Sequence, residues 1–426
     1  NEEWFTVQPF VARFASSRLD ATQPDAAARI HSRAVSWLRS HGLAELAVEQ
    51  ALIAGDDAAV AEILEENHLA WIREGRSRMC LEWTEALPEG TLLQRPRLAA
   101  AASVAATLVG QGTIARRRFL QMVDQARAEG CPGIDSYVDA LDSMIRSGAV
   151  EGDVGRAISH GRHAVELSEQ AVDEVRVAAL AGYAQALYFG GEDADAWECA
   201  SRAIEHPNAE HRPLGHAFAR STLALIAIER QRLPLARTHL ERARAALGSI
   251  GSTRGWLGAQ ATTASGCLLA AEGELAAAER ELATAEVLFR DEVSSLHHVW
   301  VLLLLARVRC RRGRIREGGA DLAAGQSELA DLADPGRIRA LADDVAEEIE
   351  TTRGRATAGE VIGRPSRAEV VVLRLLATDL STTEIAEHLH LSPNTVRSHI
   401  RAVYRKLGVS NRADAVARAD ALGLLN

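Results

Sequence analysis

A chain of 426 residues, 47% hydrophobic and 25% charged, is too long for one compact core and is expected to divide into two to four domains. Its formal net charge of −10 argues against nucleic acid as a partner of the whole surface, but residues 363–426 hold 9 Lys and Arg against 6 Asp and Glu, a local +3, leaving 39 against 52, or −13, for the rest. A single lysine, Lys406, excludes phosphate-loop, Schiff-base and receiver-domain lysine chemistry, and five scattered cysteines, Cys80, Cys131, Cys199, Cys267 and Cys310, contain no C-x-x-C pair that would hold a structural zinc.

The opening residues Asn1-Glu2-Glu3-Trp4-Phe5 lack a methionine, and Trp4, Phe5, Val7, Phe10, Val11 and Phe14 read as the end of a small domain, so the chain is expected to start mid-protein. No charged-then-apolar leader opens it, and the longest purely apolar run, Val299 to Ala306, is too short to cross a bilayer. With the cysteine pattern, this predicts a soluble cytoplasmic protein with no membrane partner. From Ala26 to Arg39, Ile30, Ala34, Trp37 and Leu38 recur at helical spacing, and His41-Gly42 stops the helix. Leu46 to Ala54 and Ala58 to Leu64 continue as paired helices, so residues 1–95 are read as a helical remnant and connector.

From about Pro96 the chain repeats. Gly152, Gly191, Gln231, Gly273 and Gly313 follow one another at intervals of 39, 40, 42 and 40 residues. Five positions after each stands a small residue (Ala157, Ala196, Ala236, Ala278, Gly318), and seven further on another (Ala164, Ala203, Ala243, Ala285, Gly325). The rhythm predicts a turn and then a helix whose small residues let it pack closely on its neighbours, the signature of stacked helical hairpins. Tyr183 to Ile204 is similar to a tetratricopeptide repeat, although the period is longer than that family's, and residues 96–350 are read as a tetratricopeptide-like superhelix. Its concave groove is expected to take a small-molecule inducer or a regulatory protein, with Tyr183, Gln185, Tyr188, Arg220, Glu229, Trp256, Gln260, His297 and Trp300 as candidate liners, Trp256 and Trp300 reading equally well as core.

The histidines do not make metal sites. His206, His211 and His216 recur every five residues and so walk around a helix, His297 and His298 point apart, and no cysteine stands near His388 and His390. No G-x-S-x-G elbow or nucleophile–base pair is present, and an enzyme is not expected.

Residues 351–365 lose apolar periodicity and read as a linker. Beyond it, Ser366 and Glu369 form an S-x-x-E cap, with Val370, Leu373, Leu376 and Ala377 as the inward side of a helix. Ser381 and Glu384 cap a second, with Ile385, Ala386 and Leu389 inward. Ser392 and Pro393 start a third, whose Val396, Ile400, Val403 and Leu407 form an apolar stripe opposite Asn394, Arg397, Ser398, Arg401 and Arg405. A fourth runs from about Asn411 to Leu422, with Ala415, Val416, Ala419 and Leu422 inward. The second and third make a helix-turn-helix, an arrangement in which the second helix enters the major groove of DNA.

Glu369, Val372 to Ala377, Leu380-Ser381, Glu384-Ile385-Ala386, Leu391-Ser392, Thr395 to His399, Lys406 to Val409 and Arg412 resemble the C-terminal DNA-binding domain of LuxR-type regulators, over about sixty residues without a gap. Pro365 and Asp379 depart from that pattern, where leucine and a helix-ending glycine are usual. The resemblance implies that Arg397, Ser398 and Arg401 face bases and that Thr395, Tyr404 and Arg412 hold phosphates; Arg405 and Lys406, on the same cationic helix, join the backbone set. Leu69 to Arg76, Leu81-Glu82-Trp83 and Leu87-Pro88 are similar to the region after the nucleotide-binding module of the large ATP-binding members of that family.

The sequence thus predicts an all-α protein: a tetratricopeptide-like superhelix followed by a LuxR-type tetra-helical helix-turn-helix domain at 366–426. The expected function is sequence-specific binding of double-stranded DNA, as a homo-oligomer, with RNA polymerase as a further partner. No cofactor is expected in these residues; ATP is implied only for an upstream nucleotide-binding module. Two competitors are a helical-repeat interaction scaffold, which would need neither a linker nor a cationic helix, and a sigma factor, disfavoured by Lys406 to Arg412 and by the repeats.

Overall fold

In the computed structural model all residues are described except 1–6, 110–111, 150–151, 171–172, 208, 251–252, 254–255, 291–294, 358–364, 379, 410 and 426. Among the described residues the architecture is all-α, tetratricopeptide-like helical hairpins followed by a tetra-helical helix-turn-helix, with no extended strand. No helix of these is long and apolar enough to cross a membrane. By contacts the chain forms two units, Asn1–Ala264 with Val287–Ser294, and Ser265–Glu286 with Ser295–Asn426. The boundary falls inside a repeat helix.

The first unit opens with α1 (Pro9–Thr22), α2 (Pro24–Ser40), α3 (Ala44–Ala54), α4 (Asp57–Arg73), α5 (Ser77–Glu85) and α6 (Glu89–Leu93). Hairpins then stack: α7 (Pro96–Val109) on α8 (Gly112–Ala128), α9 (Ser136–Ala149) on α10 (Val154–Gln170), α11 (Asp173–Gly190) on α12 (Asp193–Glu205) and α13 (Pro213–Glu229) on α14 (Leu233–Ser249). The helix α15 (Trp256–Ala271) begins in this unit. The expected inward side of α2 is corrected: Ile30 and Trp37 are exposed, and Ala27, Val35 and Leu38 are the buried positions. On α1, Phe10 and Phe14 are exposed as well, while Trp4 and Phe5 lie outside the described residues.

The second unit holds α16 (Leu275–Arg290), α17 (Ser295–Arg311), α18 (Ile315–Leu329) and α19 (Ile338–Thr357), then α20 (Arg367–Leu376), α21 (Thr382–His388), α22 (Pro393–Leu407) and α23 (Arg412–Ala421). Helix α19 runs through Thr357, so the stretch read as a linker from 351 begins inside a helix. Thr351, Thr352 and Arg353 are polar but helix-compatible, and Thr352 donates to the Glu348 carbonyl at 2.8 Å.

The turns at the five rhythm positions are left-handed. Gly152, Gly191, Gly273 and Gly313 have φ between 76° and 84°, a conformation that costs glycine nothing, and Gln231 adopts the same turn at φ 58° against the steric cost of its Cβ. The small residues behind the turns are all buried, from Ala157 to Gly318 and from Ala164 to Gly325. They sit where neighbouring helices come closest: a Cβ on Gly318 would stand 2.8 Å from the Ala306 carbonyl oxygen. One on Gly325 would stand 3.3 Å from the Leu303 side chain, so a larger residue at either glycine crowds the neighbouring helix.

The expected groove liners are corrected. Gln185, Tyr188, Arg220, Trp256, Gln260, His297 and Trp300 are buried, whereas Tyr183 is half-buried and Glu229 exposed. Helix spacing alone does not tell the concave side of such a stack from the side between neighbours. Tyr188 donates to Glu229 at 2.7 Å and Thr222 donates to the Gln185 amide oxygen at 2.9 Å, so these polar groups join successive hairpins. Arg220 donates from Nε to His216 Nε2 at 3.0 Å and meets His239 Nδ1 at 3.1 Å. Burial, then the charge of Arg220, pushes both imidazoles down to about 4.

Candidate nucleic-acid interface

The last four helices are set by their caps. Ser366 and Glu369 form the expected capping box at the start of α20, the Ser366 amide donating to Glu369 Oε2 at 2.6 Å and the Glu369 amide to Ser366 Oγ at 3.3 Å. Ser381 and Glu384 repeat it on α21, at 2.8 and 3.3 Å. Ser392 accepts from the Thr395 amide at 3.1 Å with Pro393 behind it, and Asn411 accepts from the Asp414 amide at 2.9 Å. Each such cap stabilises its helix by about 0.5–2 kcal/mol. Gly408, at φ 67°, ends α22 in the left-handed conformation.

Two small cores hold the frame. Val372, Leu376, Ile385, Ala386 and Val396 form one, and Leu373, Val403, Leu407, Ala415 and Ala419 the other, with Tyr404 packed against both. Val396, Val403 and Leu407 are fully buried, each contributing about 1.5–3 kcal/mol by leaving water, and they pin one side of α22 to α20, α21 and α23. Three expected core positions shift: Val370 is half-buried while Val372 is buried, Ala377 is exposed at the end of α20, and Leu422 is exposed. The α21–α22 turn passes through His390 at φ 55°, a strained conformation that sequence spacing did not signal. Asp379, read as a departure at the end of α20, lies outside the described residues.

The other side of α22 is open around Arg397, Ser398 and Arg401, while the Arg405 side chain runs about 4 Å from where a Cβ on Gly313 would stand. Asn394, Thr395, Arg397, Ser398, Arg401 and Arg405 are exposed, and Tyr404 is half-buried. Arg397 donates to Asn394 Oδ1 at 2.8 Å, which holds its guanidinium over the first turn of the helix, and the Thr395 hydroxyl lies 2.8 Å from Ser392 Oγ. Arg397, Ser398 and Arg401 therefore share one solvent-facing ridge, Arg401 lying four residues after Arg397 and three after Ser398 on the helix.

Two of the residues expected at phosphates are engaged inside the domain. Lys406 pairs with Glu369, 37 residues away in sequence, and Arg412 donates from Nε to the Leu376 carbonyl at 2.9 Å and from Nη2 to the Thr378 carbonyl. The contacts of Arg412 satisfy carbonyls at the end of α20 that the helix itself leaves without partners. Burial pushes the Glu369 carboxyl up, but Lys406 and the Ser366 amide outweigh it and hold the group below the ordinary glutamate range. No spacing rule could have signalled these pairings, because the partners are distant in sequence.

Residues 366–419 match the family described as bacterial regulatory proteins, luxR family. The chain is 42% identical over 60 residues to the spore germination protein GerE of Bacillus subtilis (strain 168), covering 14% of this chain and 81% of that protein. It is 34% identical over 108 residues to the probable transcriptional regulatory protein NarL of Mycobacterium tuberculosis (strain CDC 1551 / Oshkosh), covering 25% of this chain and 44% of NarL. With the HTH-type transcriptional regulator MalT of Yersinia enterocolitica it shares 40% identity over 57 residues, 13% of this chain and 6% of MalT, so the chain spans less than half the length of either regulator in these matches. With four-fifths of GerE covered and the caps, cores and open ridge in place, the chain belongs to the luxR family of bacterial regulatory proteins.

Proposed function

We propose that this chain is a sequence-specific DNA-binding transcriptional regulator in which α22 enters the major groove. The observation that carries the reading is the exposed ridge of Arg397, Ser398 and Arg401, backed by the buried Val396, Val403 and Leu407. A guanidinium fork matches the O6 and N7 acceptors of guanine, and a hydroxyl suits either base edge, so these three are assigned to sequence readout. Thr395, Tyr404 and Arg405 border the ridge and are assigned to phosphates. Lys406 and Arg412 support that surface from behind, by tying α22 and α23 to α20.

In this reading the helical-repeat body senses an inducer or mediates assembly, and a homo-oligomer sets the spacing of half-sites and meets RNA polymerase. The regulators NarL and MalT, matched over part of their length, support the transcriptional role. Selection of bound duplexes from a random pool by the full chain, followed by fluorescence anisotropy, tests it. Enrichment of a shared motif is expected. Recovery of unrelated sequences bound with one affinity would remove the regulator reading.

A further inference from the structure

One cationic cluster in the first unit is not balanced by any carboxylate bonded to it. Arg220 of α13 is only 7% exposed, so its guanidinium lies inside the stack, where arginine keeps its charge. Half-buried guanidiniums elsewhere in the repeats face carboxylates: Arg146 bonds Asp142 at 2.7 Å, and Arg309 bonds Asp321 at 2.6 Å. Arg220 faces two imidazoles instead, His216 Nε2 and His239 Nδ1, and has no ion pair among the described residues. A guanidinium donates only, so each imidazole accepts with one ring nitrogen and carries its proton on the other. Among the described residues, His216 Nδ1, His239 Nε2 and Arg220 Nη2 have no hydrogen-bond partner.

Arg242 adds a second guanidinium. It stands one turn after His239 on α14, is exposed, and has no ion pair among the described residues. Burial, then the Arg242 charge, pulls Arg220 below the ordinary arginine range without removing its charge, so the two guanidiniums are close enough to repel. Glu210, on the short turn before α13, is the carboxylate whose charge reaches His216; it is exposed and bonded to none of these groups. A buried guanidinium among neutral acceptors, with a like charge beside it, loses hydration and gains no opposite charge in return. Packing alone is better served by an apolar residue at Arg220 or a carboxylate at His239. Two cations and two spare imidazole N–H groups on one hairpin have the chemistry of an anion site.

We propose that His216, Arg220, His239 and Arg242 bind the phosphate group of a small phosphorylated molecule, with Arg220 at the base of the site and Arg242 at its rim. Two guanidiniums match the double charge of a phosphate monoester, and its three terminal oxygens accept from several directions, whereas the two coplanar oxygens of a carboxylate suit a single fork. The proposal rests on the reading that the helical body senses an inducer, and it names the chemical class of that inducer. A bound phosphate bridges α13 and α14, and so stabilises that hairpin by mass action.

The test is peptide-resolved hydrogen exchange of the full chain at about pH 8, where phosphate is mostly dianionic, with inorganic phosphate or acetate replacing chloride at constant ionic strength. Phosphate is expected to slow exchange over 213–249 saturably, by about tenfold at ten times its dissociation constant, and acetate to leave it unchanged. Arg220→Gln is expected to abolish the effect. Arg242→Gln, on the surface, is expected to weaken phosphate several-fold with exchange in chloride unchanged. Protection of 393–407 alone would mark an adventitious ion only, on the α22 ridge, and overturn the proposal. Equal protection by acetate overturns it too, as does wild-type phosphate affinity in Arg242→Gln, the variant that decides should Arg220→Gln not fold. DNA anisotropy with and without phosphate separates the two readings. Intact DNA binding with no protection of 213–249 sinks only this site, and protection that leaves DNA affinity unchanged upholds the site and removes its part in sensing.

Discussion

Arg412 separates a role in folding from a role on DNA. Its guanidinium donates to the Leu376 carbonyl at 2.9 Å and to the Thr378 carbonyl, closing the end of α20 against the start of α23. A hydrogen bond from a charged group contributes about 1.5–3 kcal/mol when shielded, but Arg412 is half-exposed, so the pair together is worth about 1–2 kcal/mol. Arg412→Ala is therefore expected to speed amide hydrogen exchange in α20 and α23 by roughly 5- to 30-fold in the full chain, leaving α7 to α14 unchanged. DNA affinity would fall with that loss of order, on all sequences alike. Exchange at the wild-type rate would refute the structural role. A salt dependence of DNA binding made shallower by about one unit, with exchange unchanged, would instead return Arg412 to a phosphate.

Three further outcomes follow from the packing. Gln231→Gly is expected to stabilise the first unit by about 0.5–1 kcal/mol, because glycine enters the left-handed turn without the Cβ cost; an unchanged urea midpoint would contradict it. Ala243→Leu, at a fully buried position on α14, is expected to destabilise by about 1–3 kcal/mol in the same assay. His216 and His239 are held neutral by burial and by Arg220, with Arg242 adding to the effect and Glu210 opposing it at His216. Their folded values near 4 lie below the unfolded value of about 6.5, so the unfolded chain binds more protons and stability falls as pH drops from about 6.5 towards 4. Replacing both by glutamine should flatten that slope, and a slope that persists would place the acid sensitivity elsewhere.

Turns and close approaches were legible because few residues satisfy them. The 39- to 42-residue rhythm marks left-handed turns, and the alanines behind them mark helix contacts, so the repeats could be read from glycine and alanine alone. The caps of α20, α21 and α22 were legible for the same reason, since Ser366, Ser381 and Ser392 each accept from the amide three residues on. Faces were less legible. A helix between two neighbours buries more than one side, so Gln185 and Arg220 could be placed on a helix but not assigned to groove or core. The partners of Lys406 and Arg412 lie on other helices, so a cation tied into the fold looked the same in sequence as one facing solvent.

The claim that α22 reads DNA through its open ridge is tested most directly by anisotropy of Arg397→Ala and Arg401→Ala on the selected sequence and on a random duplex. Each variant is expected to lose about 1–3 kcal/mol on the selected sequence and much less on the random one, so that specificity collapses while background binding persists. Equal affinities for the two duplexes in the wild-type chain, or losses of the same size on both in the variants, would contradict the assignment of those arginines to bases.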